Sequence, residues 1–325
     1  MTDIQLARFS NVHSQGERLA AEMGVPLGAY QKMTAEELFL VMSSPALGGP
    51  FATDPGISVD QGLIAAIVKC SPGQGPYLHA HYKTLESFIC LQGQFHINWG
   101  DEGEHEALLD TFDTIAVPRG VVRSFTSASK EGDAYILAFI RGDTPEDFAD
   151  VAMTTAAAED LDTSFGSGTA EKIKEIGWRF DAGIETPNVQ VSPAEMETHI
   201  ARFADLEPTS RNGVERFAVM HPDSPRAAIS GDPGELAQIF RLSKDGAISP
   251  YARTRTKETL MCLTGNVTLQ LGDDAGEQHE LEPWDAVSMA PGVARSCRNA
   301  GETPAMLLSL VIGNEDEVFD DVSEV

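Results

Sequence analysis

The sequence predicts an all-β protein in which one domain occurs twice. Three observations lead there. From about Phe51, and again from about Val214, short runs rich in Val, Ile, Leu and Phe alternate with Gly, Pro and Asp. Many short strands with turns at close spacing argue for a sandwich or barrel. The two regions also match each other at a constant shift of 172 residues. That shift pairs Ala80 with Ala252, Thr84 with Thr256, Glu86 with Glu258, Cys90 with Cys262, Leu91 with Leu263 and Gly93 with Gly265. Further along it pairs Asp113 with Asp285, Gly120 with Gly292, Val121 with Val293, Arg123 with Arg295 and Ser124 with Ser296. One unchanged offset over this length marks two copies of one domain. Finally, 325 residues is the length of about two domains, and 42% hydrophobic residues can fill two cores.

Each element follows in order. Residues 1–30 are mixed and show no strong period. Thr34-Ala35-Glu36-Glu37 has the form of a capping box and predicts a short helix before LFLVM. The first set of strands is GLIAAIVKC, SFICLQG, QFHINWG, TIAVP and AYILAFI. After Gly142, Thr144-Pro145-Glu146-Asp147 predicts a helix through about Met153. Residues 154–168, rich in Ala, Asp, Ser and Gly, read as an exposed linker, and Ala170–Trp178 as a second helix. Ser192-Pro193-Ala194-Glu195 is another capping box, leading into METHIARFADL. The second set of strands is RFAVM, AQIFRLS, TLMCLTG, VTLQLG, AVSMAP and AMLLSLVIG. The predicted organisation is a first domain over 1–145 with its barrel at about 50–142, a helical linker over 146–213, a second domain over 214–313, and an acidic tail over 314–325.

Charge and cysteine content narrow the function classes. A net charge of -27 repels phosphate backbones and anionic membrane surfaces, so neither nucleic acid nor membrane is the expected partner. The four cysteines (Cys70, Cys90, Cys262 and Cys297) lack CxxC spacing and sit in apolar runs. They read as small buried hydrophobes of a reducing compartment, and a cytoplasmic location is expected. No apolar run reaches the roughly 18 residues of a membrane span, and the N-terminal stretch does not read as a signal peptide. The expected partner is a small-molecule substrate, and the expected assembly a homodimer or higher homo-oligomer.

The chemistry concentrates in His79-Ala80-His81-Tyr82-Lys83-Thr84-Leu85-Glu86. Two histidines two apart share one face of a strand. Glu86 lies five residues after His81, an odd offset, so the chain must turn within Tyr82–Leu85 for Glu86 to open the neighbouring strand on the same side. Two imidazoles and one carboxylate then converge, which is a ligand set for a divalent transition metal with positions left open.

At this point the residues resemble a family. His79-x-His81-x4-Glu86-x6-Gly93 is similar to the first cupin motif. Asp113-x4-Pro118-x-Gly120-x2-Arg123 is similar to the second, with Arg123 where that family usually has a metal-binding histidine. With the repeat, the chain resembles a bicupin. The resemblance implies two tandem jelly-roll barrels, with short helices at the N-terminus and in the linker.

A guanidinium stays protonated and cannot coordinate a metal. Arg123 therefore either anchors an oxygen of the substrate, or pairs with Glu86 or Asp113, or faces solvent. The metal ligands are read as His79, His81 and Glu86, with Arg123, Glu86 and Tyr77 as catalytic candidates. His96 is a possible fourth ligand, although its strand alternation turns it away from Phe95, Ile97 and Trp99. In the second domain the shift puts Tyr251 and Arg253 where His79 and His81 stand, and only Glu258 persists. No metal is expected there. The cluster Arg253, Arg255, Lys257, Glu258 and Arg295 is either an anion pocket or internally paired.

Two His and one carboxylate is also the set of non-haem Fe(II) oxygenases. The resemblance extends to quercetinase-type and gentisate-type bicupin dioxygenases, without full agreement with either. The leading functional expectation is an oxidoreductase, a dioxygenase-like bicupin with one divalent metal per chain. Fe(II) comes first, ahead of Mn, Ni, Co or Zn, and the substrate is a small anionic, enolic or phenolic compound held against Phe88, Cys90, Ile115 and Phe125. One alternative is an O2-independent metal-dependent isomerase, lyase or hydrolase in which Glu86, Tyr77 or Tyr82 moves a proton. Another is a non-enzymatic small-molecule-binding protein.

Overall fold

A computed structural model describes residues 4–44, 54–59, 62–142, 144–175, 179–180, 189–231, 235–272 and 276–312. The predicted acidic tail lies outside these residues. The chain divides into two compact units, one of residues 13–202 and the other of residues 1–12 together with 203–325.

The first unit is built from two sheets. One has seven strands in the order Ile200–Ala201, Thr114–Val117, Leu85–Gln92, Ala134–Arg141, Leu63–Cys70, Glu37–Ser43 and Ile57–Ser58. The other has six, in the order Arg179–Phe180, Val151–Met153, His79–His81, Arg123–Ser127, Phe95–Trp99 and His105–Leu109. Alternation explains the burial. In Phe95–Trp99 the residues Phe95, Ile97 and Trp99 are buried while His96 and Asn98 are not. The buried set joins Phe88, Cys90, Ile115, Phe125 and Ile136 in one apolar core. Trp99 places its indole N–H on the Val191 carbonyl at 2.9 Å, so the largest ring of the core leaves no donor unmet.

The second unit repeats the plan. Its seven-stranded sheet runs Ile4–Ala7, Ala286–Met289, Lys257–Thr264, Ala305–Ile312, Glu235–Leu242, Val214–Met220 and Thr209–Arg211. Its four-stranded sheet runs Ala247–Tyr251, Arg295–Asn299, Val267–Leu271 and Gln278–Leu281. Every strand expected from the apolar runs of both domains is present.

Five local expectations are corrected. Thr34 does not begin a helix. It ends one, Leu27–Thr34, and Ala35 at φ 90° turns the chain into the strand Glu37–Ser43. The apolar run Leu38–Met42 pairs along Leu63–Cys70, and that sheet pairing overrides the capping signal. After Thr144 the helix is a single 3-10 turn, Pro145–Ala149, followed by the strand Val151–Met153, which pairs with His79–His81. Residues expected as an exposed linker form the helix Thr155–Phe165, capped by Thr154 on the Ala157 N–H. Residues 1–30 hold three elements in addition to Leu27–Thr34, the strand Ile4–Ala7, the 3-10 turn Phe9–Asn11 and the helix Gly16–Met23.

The fifth correction concerns the first residues, expected with the first barrel. Ile4–Ala7 pairs with Ala286–Met289 of the second unit. Ile200–Ala201, which precedes the second barrel, pairs with Thr114–Val117 of the first unit. Each lead-in ends in Ala-Arg-Phe. Arg8 pairs with Asp285 at 2.6 Å and Arg202 with Asp113 at 3.3 Å, and Asp113 and Asp285 are themselves repeat partners. The lead-in of each barrel thus adds an edge strand to the other.

Candidate metal centre

His79–His81 is a short strand held on both sides. Arg123 lies opposite His79 on one neighbour, while Val151, Ala152 and Met153 lie opposite His81, Ala80 and His79 on the other. The chain turns over Tyr82–Thr84 and Leu85 begins the next strand. That strand belongs to the seven-stranded sheet, so Glu86 comes from the facing sheet and not from the neighbouring strand as expected. Gly120, at φ +78°, closes the same corner, and its N–H donates to the His81 carbonyl at 2.7 Å. A positive φ here favours glycine, which has no Cβ to clash.

The three side chains converge. The nitrogen and oxygen atoms offered by His79, His81 and Glu86 all lie within 4.8 Å of one another, and all three residues are buried. Both Nε2 atoms face Glu86 Oε2, at 3.7 Å from His79 and 3.8 Å from His81. Protonation follows from the partners on the far side of each ring. His79 Nδ1 lies 2.9 Å from the Tyr77 carbonyl oxygen, and His81 Nδ1 lies 3.0 Å from Asp150 Oδ1. Both partners accept, so Nδ1 carries a proton in each ring and Nε2 is the nitrogen left to coordinate a cation. Burial, and then the charge of Arg123, lower the His81 pKa and keep that imidazole neutral. Two lone pairs and a carboxylate facing one another make a donor set that fits a divalent cation. Among the described residues this is the one cluster of its kind.

Two further groups fix the set. Arg123 donates from Nε at 3.0 Å and from Nη2 at 2.6 Å to Glu86 Oε2. Burial alone would raise the Glu86 carboxyl, but the guanidinium of Arg123 beside it holds it well below the usual range. Asp150 was not anticipated. It takes the His81 N–H on one oxygen and the backbone N–H groups of Lys83 and Thr84, each at 2.8 Å, on the other. Burial pushes its pKa up, yet the His81 contact and the two N–H groups bring it down to about 2. A carboxylate behind a metal-facing histidine sets the ring's orientation and basicity. Nothing in the sequence signals this role, because Asp150 lies outside both motifs and reaches His81 only through the pairing of Val151–Met153.

The other candidates are placed elsewhere. Arg123 is buried against Glu86, and Asp113 pairs with Arg202 instead. Tyr77 gives its carbonyl to His79, but its hydroxyl bonds Asp160 on the helix Thr155–Phe165. Tyr82 packs with Ala80, Val122 and Ala152. His96 points away from the core toward Glu106, 3.1 Å away, and supplies no fourth ligand. A cavity opens onto His79, His81 and Glu86. Of the four residues expected to line it, only Phe125 does, while Phe88, Cys90 and Ile115 are core. The four cysteines are free and buried, and burial raises Cys70, Cys90 and Cys262 to about 12.

In the second barrel the same geometry is closed by charge. Arg295 donates from Nε to Glu258 Oε2 at 2.7 Å, as Arg123 does to Glu86. At the histidine positions, Tyr251 donates to Glu258 Oε2 at 2.9 Å and Arg253 Nε lies 3.1 Å from Oε1. Ser309 also bonds this carboxylate. Arg253 and Arg295 are therefore internally paired, and Arg255 is exposed.

Comparison with solved structures places the architecture. The oxalate decarboxylase of Bacillus subtilis, in a structure concerned with its Mn(II) centres, superposes with a TM-score of 0.60 at 13% identity, over 99% of this chain and 80% of that one. A structure of an oxalate decarboxylase, addressing substrate binding and a switch of reaction specificity, gives a TM-score of 0.62 at 14% identity over the same shares. The fold is that of a bicupin. A third structure, of the Bacillus subtilis enzyme at pH 4.6, gives 0.61 at 13%, over 99% of this chain and 79% of that one. These neighbours share the architecture and do not single out the quercetinase or gentisate type. No protein-family profile matches this chain, and no curated protein does. No helix among the described residues is long and apolar enough to cross a membrane.

Proposed function

We propose that this chain is a metal-dependent enzyme of the lyase or isomerase kind, acting on a small organic acid or enol at one divalent ion held by His79, His81 and Glu86. The observation that carries this reading is the facing pair of Nε2 lone pairs and the ionised Glu86 at 3.7 and 3.8 Å, at the base of a cavity. The fold shared with an oxalate decarboxylase known for Mn(II) centres supports it and brings Mn(II) ahead of Fe(II) as the ion. When bound, such an ion supplies a Lewis acid that polarises a substrate oxygen.

The remaining tasks fall to the protein. Glu86, held ionised by Arg123, is a ligand and a poor proton carrier. Asp150 and the Tyr77 carbonyl hold the two rings in place. The hydroxyl of Tyr77 is committed to Asp160 and that of Tyr82 does not line the cavity, so a proton required by the reaction comes from substrate or water. The two-His, one-carboxylate set also favours a second reading, an Fe(II)-dependent dioxygenase, in which positions remain for O2 and a chelating substrate.

Metal analysis of protein purified without a histidine tag, followed by turnover assays with and without oxygen, tests the choice. Mn(II) near one per chain with turnover that consumes no O2 supports the lyase reading. Iron with stoichiometric O2 uptake would replace it by the second, and absence of bound metal would overturn both.

A further inference from the structure

The cavity beside the proposed metal centre has a composition that bears on its ligand. Of fifteen lining residues, only His79, His81, Glu86 and Thr34 carry polar side chains. The Thr34 hydroxyl is engaged by backbone, at 3.2 Å from the Tyr30 carbonyl and 3.3 Å from that of Ala35. The rest of the wall is carbon or thioether, with Leu38, Ile64, Val68, Ile140 and Phe148 among it. No lysine or arginine lines the cavity among the described residues. The nearby cation, Arg123, is buried with two of its donors on Glu86.

We propose that the substrate has a single metal-chelating head, anionic or enolic, attached to an apolar body. An acid that carries a second charge several atoms away from the chelating head does not suit this cavity. This rests on the metal-site reading above. One carboxylate or enolate can be matched by an ion at His79, His81 and Glu86. Among the described residues, a second carboxylate held beside Leu38, Ile64 and Val68 meets no lining donor or cation beyond the engaged Thr34 hydroxyl, and a buried charge without a partner is strongly disfavoured. An apolar body gains in the same place, by about fourfold in affinity for each methylene taken out of water.

A matched pair of ligands tests this by calorimetry on the full chain loaded with Mn(II). 2-Oxoglutarate and 5-methyl-2-oxohexanoate share the 2-oxo acid head and nearly the same shape, and differ in ending in a carboxylate or an isopropyl group. The expected result is that the apolar acid binds at least tenfold more tightly. Ala138→Leu, or Ala66→Leu if the first does not fold, fills the cavity with carbon. Either is expected to abolish that preference while Mn(II) per chain, read by electron paramagnetic resonance, stays unchanged. Equal or tighter binding of 2-oxoglutarate, or no binding of either acid to the Mn(II)-loaded protein, would overturn the inference and leave the metal site standing. Failure to take up Mn(II) would overturn the metal site and the inference together.

Discussion

The two barrels carry the same carboxylate and the same arginine, yet among the described residues only the first sets two histidines beside that carboxylate. Glu86 and Glu258 each receive a bond from the Nε of a buried arginine, Arg123 at 3.0 Å and Arg295 at 2.7 Å. The difference lies in the residues facing that carboxylate. In the first barrel they are two imidazoles with lone pairs turned inward, and in the second they are a phenol O–H and a second guanidinium. A buried carboxylate must be neutralised or paired in either case. The second barrel does this with its own side chains, while the first leaves a place suited to an ion. The arginine that replaces the usual fourth ligand is common to both sites. It is a holder of the carboxylate, and the histidines decide which barrel can take a metal.

Loss of an imidazole should have the largest effect. His79→Ala or His81→Ala is expected to weaken metal binding more than about 100-fold, beyond the cost of losing an outer partner, as measured by metal content after dialysis. The reverse exchange, Tyr251→His with Arg253→His, would leave Glu258 bonded by Arg295 and Ser309 and facing two imidazoles, and should raise metal content from one ion per chain to two.

Removing the shared arginines should separate the barrels by stability. Arg123→Ala leaves the buried Glu86 carboxylate without its guanidinium and should cost about 3 kcal/mol in urea unfolding of the metal-free protein. Arg295→Ala should cost less, about 2 kcal/mol, because Arg253, Tyr251 and Ser309 still bind Glu258.

The smallest expected effect is at Asp150. Asp150→Asn should weaken metal binding about 10- to 100-fold while leaving both barrels folded. It should also change the acid limb of stability. The Asp150 pKa is lowered in the folded chain from 3.8 to about 2, so its contribution is present above pH 3.8 and is lost as pH falls toward 2. That contribution is about 2 kcal/mol. Urea midpoints of wild type and Asp150→Asn compared across this window should converge at low pH.

What the sequence revealed and what it hid divide along physical lines. The strands were legible because alternation and apolar runs are local, and the constant shift of 172 residues exposed the duplication. The triad was legible because motif spacing fixes which residues meet at a strand corner. Asp150 was not, since its role depends on a strand that pairs across the sheet from the first histidine. The exchanged lead-ins were also hidden. Arg8 and Arg202 lie 194 residues apart, outside the 172-residue register, although their partners Asp285 and Asp113 lie within it. The helix Thr155–Phe165 was missed because its Ala, Asp and Ser content resembles a linker, while its packing face rests on Ala157 and Leu161.

If histidine identity, and not the shared arginine, limits the chain to one metal centre in its first barrel, a Mn(II) titration followed by electron paramagnetic resonance on wild type, His81→Ala and Arg295→Ala should give one site per chain in wild type and in Arg295→Ala, and none in His81→Ala. Two sites in wild type or in Arg295→Ala, or a site that survives His81→Ala, would show that the histidines do not set the number of centres.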